Sequence, residues 1–252
     1  MNERFLIKVI GRLGGDRCDV QEIRVLNRIL RLGAAGISYE ADPRHAELLA
    51  RDLAATGPAV TTPGTKADKK EEVESMLDEN DTRLYRSGTA RANYLALDRP
   101  DLSFATKELC RRMSAPRQQD LQALRRVARY LQTEPRVVYE YKWQMEGSLK
   151  VYVDTDFAGC PQTRKSTSGG CAMMGSHLVK HWSTTQRVVT LSSGEAELAG
   201  IVKGAAEALG LRSLSADFGE TSKIKMYADA SAAIGICRRS GIGKVRHLVV
   251  GQ

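Results

Sequence analysis

Long apolar runs are missing from this sequence. No stretch of its 252 residues approaches the roughly 18 consecutive apolar positions that a membrane-spanning helix needs, so no membrane partner is expected. The opening residues, Met1-Asn2-Glu3-Arg4-Phe5-Leu6-Ile7-Lys8, are too charged and too short in apolar side chains for a signal peptide. Cysteine is sparse. The five residues Cys18, Cys110, Cys160, Cys171 and Cys237 are odd in number and never spaced as Cys-x-x-Cys. A disulfide framework is therefore not expected, and a reduced intracellular protein, cytoplasmic or nuclear rather than secreted, is.

What is present is ordinary for a globular chain: 42% hydrophobic and 27% charged residues, enough for one large or two small domains. The net charge is +8, with a pI near 9.3, and it is unevenly placed. Residues 1–84 carry 13 basic and 15 acidic side chains, residues 85–149 carry 12 and 7, and residues 150–252 carry 13 and 8. The basic C-terminal two-thirds fits a polyanionic partner, of which nucleic acid is the commonest, or simply a solvated surface.

Residues 5–11 and 23–40 alternate apolar and polar side chains, which predicts short strands. A helix is expected from Asp42-Pro43 to Leu53, with Ala46, Leu48, Leu49 and Leu53 at helical spacing. Residues 65–83 are charged and poor in apolar anchors, and read as a linker. Helices follow over 86–97, 101–113 and roughly 118–132. The last carries an apolar stripe of Leu121, Leu124, Ala128 and Leu131, with Arg125, Arg126 and Arg129 off it. Arg125 and Arg129 are candidate phosphate contacts; a solvated face is the plainer reading.

From residue 149 the pattern changes. Leu149–Asp154 alternates as a strand, and residues 170–174 and 177–183 read as a hairpin around Gly175-Ser176. Ser192-x-x-Glu195 is a capping-box pattern opening a helix to about Phe218. Ile224–Ala228 is a fourth strand, and 230–238 a short helix. The order is a three-stranded meander followed by an α/β crossover.

Three acids sit at telling points in that order: Asp154 and Asp229 at strand ends, and Glu197 in the opening turns of the helix. Converging carboxylates repel unless a cation neutralises them. Divalent ions with oxygen ligands are the usual solution, and a pair of them is a standard device for phosphodiester cleavage. Asp156 is an alternative acid, expected to be diverted by a turn. Glu195 and Glu197 are two apart and cannot share a helix face. A zinc site at His177, His181 and Cys171 is disfavoured, because this run reads as a strand. Trp182 fits a sheet core better than base stacking. Lys165, Ser166 and Thr167 read either as phosphate contacts or as turn chemistry.

The motifs Tyr152–Cys160, Arg164–Gly170 and Leu191–Glu197 closely resemble the ribonuclease H domain of copia-type LTR retrotransposon Pol polyproteins, and Asp229–Ile234 resembles the next motif of that family. Upstream, Tyr85–Gly88, Asn93–Ala96, Arg99–Leu102, Met113–Pro116 and Arg129–Leu131 look like the connection to the reverse transcriptase, and Gly36 through Pro63 like the end of that enzyme. The resemblance implies an α/β architecture: a small α+β reverse-transcriptase tail over 1–64, a charged linker over 65–84, a helical connection over 85–148 and a C-terminally incomplete ribonuclease H-like domain over 149–252. It also implies cleavage of the RNA strand of RNA–DNA hybrids, with Asp154, Glu197 and Asp229 holding two Mg²⁺ ions or Mn²⁺ in their place. The Glu197-Leu198 pair matches the family's Glu-hydrophobic pair, leaving Glu195 to the capping box.

The family's polymerase motif, Tyr-x-Asp-Asp, has no counterpart, so polymerase activity is not expected of this chain; an upstream reverse transcriptase is the implied partner. Val249 stands where the family has Asp after Arg246-His247-Leu248, and the family's fourth acid is absent. A nucleic-acid-binding relic without turnover, or a degenerate fragment, is the competing reading.

Overall fold

The computed structural model describes residues 8–53, 57–64, 75–145 and 147–238. Packing divides the chain into two units, Met1–Gln144 and Met145–Gln252, each with its own apolar cluster.

In the first unit, strands β1 (Glu22–Val25), β2 (Arg28–Gly33) and β3 (Gly36–Glu40) form an antiparallel meander. The β1–β2 turn uses Leu26 and Asn27, both with positive φ (50° and 64°), as a two-residue hairpin loop of matching twist requires. Helices α1 (Arg44–Asp52), α2 (Glu79–Leu95), α3 (Ser103–Cys110) and α4 (Gln118–Thr133) follow, with a 3₁₀ turn over Pro100–Leu102 ahead of α3. A strand not expected from the sequence, β4 (Val138–Lys142), returns to pair with β3. Conversely, residues 8–11 form no strand; within the expected 5–11 segment, residues 5–7 lie outside the described residues. Next to it, the described residues form an isolated bridge, Leu13 with Val20, rather than a ladder. The linker expected over 65–84 lies outside the described residues as far as 74, and its end belongs to α2. There Asp78 caps the helix by accepting the amide of Asp81 at 2.7 Å.

Leu49 of α1, Tyr85 of α2 and Leu121, Leu124 and Leu131 of α4 are almost fully buried together. The Tyr85 hydroxyl avoids an unpaired burial by donating to the Leu109 carbonyl at 2.7 Å. Asp98 joins sheet to helices. Its carboxylate accepts from Arg28 Nε (2.8 Å) and from the Tyr39 hydroxyl (2.6 Å), and its carbonyl accepts from the Tyr139 hydroxyl (2.7 Å). Leu124 packs so tightly on α2 that a Cβ at Gly88 would meet its Cδ2 at 2.8 Å. Leu124→Ala is expected to destabilise this unit by about 2–5 kcal/mol, read as a lower denaturant midpoint by hydrogen exchange of α2 and α4 amides. An unchanged midpoint would mean that these helices do not share one core.

The second unit is a mixed sheet with strand order β7-β6-β5-β8. Strands β5 (Ser148–Asp156), β6 (Thr167–Met174) and β7 (His177–Thr185) run antiparallel. Gly175, with φ 59°, opens the β6–β7 turn. Helix α5 (Ser193–Asp217) then crosses over to β8 (Lys223–Tyr227), which pairs parallel with β5, and α6 (Ser231–Arg238) ends the described chain. Leu149, Val151 and Val153 of β5 point to the core with Ala172 and Ala208, and Trp182 packs against this cluster. Helix α5 approaches through a buried line of small residues, Ala196, Gly200, Gly204 and Ala208. A Cβ on Gly204 would fall far inside contact with Val153 Cγ1 and 3.1 Å from Met226 Cε; one on Gly200 would collide with Thr155 Oγ1. No helix among the described residues is long and apolar enough to cross a membrane.

Candidate metal centre

Register explains how the two strand acids meet. Parallel strands β5 and β8 pair Tyr152 with Tyr227, and each chain then reaches an aspartate two residues on, Asp154 and Asp229. The tyrosine rings mark the same alignment: they stack with centroids 4.9 Å apart and planes 14° from parallel. The repeated Tyr-x-Asp was a signal present in the sequence. Glu197 arrives from the start of α5, whose position is set by its cap. The Ser192 hydroxyl accepts the Glu195 amide at 3.3 Å, and Glu195 Oε2 accepts the Leu191 amide at 2.8 Å, one residue outside a strict capping box.

Asp154, Glu197 and Asp229 each place a carboxylate oxygen within 4.8 Å of the others. Among the described residues this is the one cluster of three or more His, Cys, Asp or Glu side chains arranged to hold an ion. Asp154 and Asp229 are exposed, whereas Glu197 is buried. Burial first, then the charges of Asp154 and Asp229, push the Glu197 carboxyl above its usual range, against a smaller opposing effect of the Thr155 amide. Its Oε2 is buried without a hydrogen-bond partner. Asp154 Oδ1 accepts the Thr155 amide at 2.9 Å, which fixes that carboxylate's direction. An all-oxygen, triply acidic donor set with one orphaned buried oxygen fits a hard divalent cation.

Asp156 is not diverted by a turn as expected. Strand β5 continues through it, and its carboxylate accepts the Thr167 amide, closing the far end of the β5–β6 ladder. Ser166 is fully buried, and its hydroxyl accepts the Ala158 amide at 2.9 Å. Its hydroxyl therefore serves the loop and has no surface to offer a phosphate. Thr167 is also buried, and Lys165 is half-exposed with its carbonyl accepting the Cys160 amide at 3.2 Å. In the first unit, Arg125 and Arg129 are half-buried on α4, the Arg129 side chain lying against Gly57. Their neighbour Arg126 donates to the Thr62 carbonyl at 3.0 Å and hydroxyl at 2.9 Å. His177 and His181 lie on β7, as the strand reading required. Arg246, His247 and Val249 lie outside the described residues.

Two features of the site were not anticipated. One is the small-residue line of α5, whose four-residue spacing was visible in the sequence. The other is Gln186, whose side-chain amide donates to Ser168 Oγ and to the carbonyl of Ala196, the residue before Glu197, and which nothing in the sequence distinguishes from a solvated loop residue.

No family model matches the sequence. The chain is 31% identical over 207 residues to the retrovirus-related Pol polyprotein from transposon RE1 of Arabidopsis thaliana, covering 81% of this chain and 14% of that protein. It is 34% identical over 173 residues to the corresponding polyprotein from transposon RE2 of the same plant, covering 69% of this chain and 12% of that protein. An uncharacterized mitochondrial protein of Arabidopsis thaliana is 36% identical over 124 residues, which is 49% of this chain and 51% of the relative. The chain thus spans only part of each of these curated relatives. With the motifs and these identities together, the chain belongs to the copia-type retrotransposon Pol polyprotein family.

Proposed function

We propose that the second unit is a ribonuclease H-like domain that cleaves the RNA strand of RNA–DNA hybrids, working beside an upstream reverse transcriptase of the same polyprotein. The observation that carries this reading is the meeting of a central-strand aspartate, a helix glutamate and a neighbouring-strand aspartate within 4.8 Å. The meander, the crossover helix and the parallel fourth strand around them support the reading.

Asp154, Glu197 and Asp229 would hold two Mg²⁺ ions, or Mn²⁺. Bound there, the ions supply charge neutralisation at the scissile phosphate and an activated water. The chain's own part is positional. The Thr155 amide orients Asp154, burial confines Glu197, and the exposed Asp154 and Asp229 leave the site open to a polymeric substrate. Preference for RNA over DNA would rest on the 2′-hydroxyl.

The test is incubation of a hybrid labelled on the RNA strand with Mg²⁺ and with Mn²⁺, beside an Asp154→Asn variant. Metal-dependent cleavage of the RNA strand that disappears in the variant is the expected result. Salt-dependent hybrid binding without cleavage by a folded chain would instead make this a binding relic.

A further inference from the structure

Asp154 and Glu197 come from elements distant in sequence, β5 and α5, so packing and hydrogen bonds must hold α5 at a fixed height over the sheet. We infer that Gln186 is a positioning residue for Glu197, a role that rests on the metal-binding reading above. Gln186 follows β7 directly, and only 8% of it is exposed. Its amide Nε2 donates to Ser168 Oγ at 2.9 Å and to the Ala196 carbonyl at 2.8 Å. Ser168 lies on β6 opposite Thr155, the residue after Asp154; Ala196 is the residue before Glu197. One amide group therefore joins the strand beside the first acid to the helical turn that carries the second. Its own backbone is anchored, the Gln186 amide donating to the Ser166 carbonyl at 2.8 Å.

The chemistry suits glutamine. The group needs two N–H donors on one atom, a reach of two methylenes, and no charge, because a fourth negative charge beside three carboxylates would deepen their repulsion. Methionine keeps the length and loses both donors. Asparagine keeps the amide but is one methylene too short to make both bonds.

The experiment is Mn²⁺ titration of the whole chain by isothermal calorimetry, with far- and near-ultraviolet circular dichroism in chelator as the fold control. Gln186→Met is expected to weaken Mn²⁺ binding by about 10–100-fold, the range typical of groups that orient metal ligands. Ser168→Ala, which breaks the strand half of the bridge but keeps the bond to Ala196, is expected to weaken Mn²⁺ binding by less than Gln186→Met does. If Gln186→Met fails to fold, Gln186→Asn is read by the same criterion. Parent-like Mn²⁺ affinity in the folded Gln186 variant overturns the positioning role alone, as does an equal loss in Ser168→Ala. Absence of Asp154-dependent Mn²⁺ binding in the parent overturns the metal reading and this inference with it.

Discussion

Glu197→Gln is expected to weaken Mn²⁺ binding at the three-carboxylate site by at least ~100-fold and, in chelator, to raise the melting temperature of the second unit. The first effect exceeds the ~10–100-fold typical of groups that only orient ligands, because the substitution removes a ligand charge outright. The second follows from the same environment with opposite sign. The buried carboxyl is held above its ordinary value of 4.5 by desolvation and by two neighbouring acids, so ionising it costs folded-state stability. A neutral amide of the same shape relieves that repulsion.

The pH dependence has a definite sign. Because the folded-state value is raised, the folded protein binds more protons than the unfolded chain between the two values. Its stabilising contribution is full below the unfolded value near 4.5 and is lost as pH rises through the folded value. Metal affinity runs the other way, since the cation competes with that proton. Melting scans in chelator against pH, for the parent and Glu197→Gln, check this. A parent curve no steeper than the variant's through this window would remove Glu197 from the account.

The second large effect is steric. Gly204→Ala and Gly210→Ala make the same change in the same helix and are expected to act in opposite directions. A methyl at Gly210 meets nothing within 4 Å and gains helix propensity, about 0.5–1 kcal/mol. At Gly204 it would press into Val153, whose branched side chain is fixed on the central strand, and against Met226. Overpacking of this kind costs about 1–3 kcal/mol and outweighs the propensity gain. Relief requires α5 to lift from β5, carrying Glu197 away from Asp154. A displacement near 1 Å costs on the order of 10²-fold in activity where reacting groups must be aligned. Hydrogen exchange in α5 and Mn²⁺ titration of both variants provide the measurement; a Gly204→Ala protein as stable and as metal-competent as Gly210→Ala would refute the close-packing argument.

Local pattern carried much of this architecture. Alternation located β1 to β3 and β5, the Gly175-Ser176 turn located the β6–β7 hairpin, and the Ser192 cap located the start of α5. The failures are instructive for what local pattern omits. Residues 8–11 alternate but have no partner strand, whereas Tyr139 and Tyr141 of β4 acquire one roughly a hundred residues upstream in β3. Helix α2 begins before the expected boundary because Asp78 caps it inside a stretch whose charge suggested a linker. At the site, the three acids were legible as a set. Their spacing was not, because it depends on a glutamine bridge and on glycines whose role appears only when helix and strand are face to face.

The parallel pairing of β5 with β8 also has a consequence for the nascent chain. On the ribosome β5 is complete at Asp156, but its second hydrogen-bonding edge stays vacant until Lys223–Tyr227 has emerged. At translation rates of ~5–20 residues per second that interval lasts roughly 4–14 s. During it, the strand that supplies Leu149, Val151 and Val153 to the core presents an open template to any other extended segment nearby. The same delay means that Asp154 and Asp229 can be brought side by side only after β8 has been made, so this site cannot assemble on a nascent chain that stops short of residue 229.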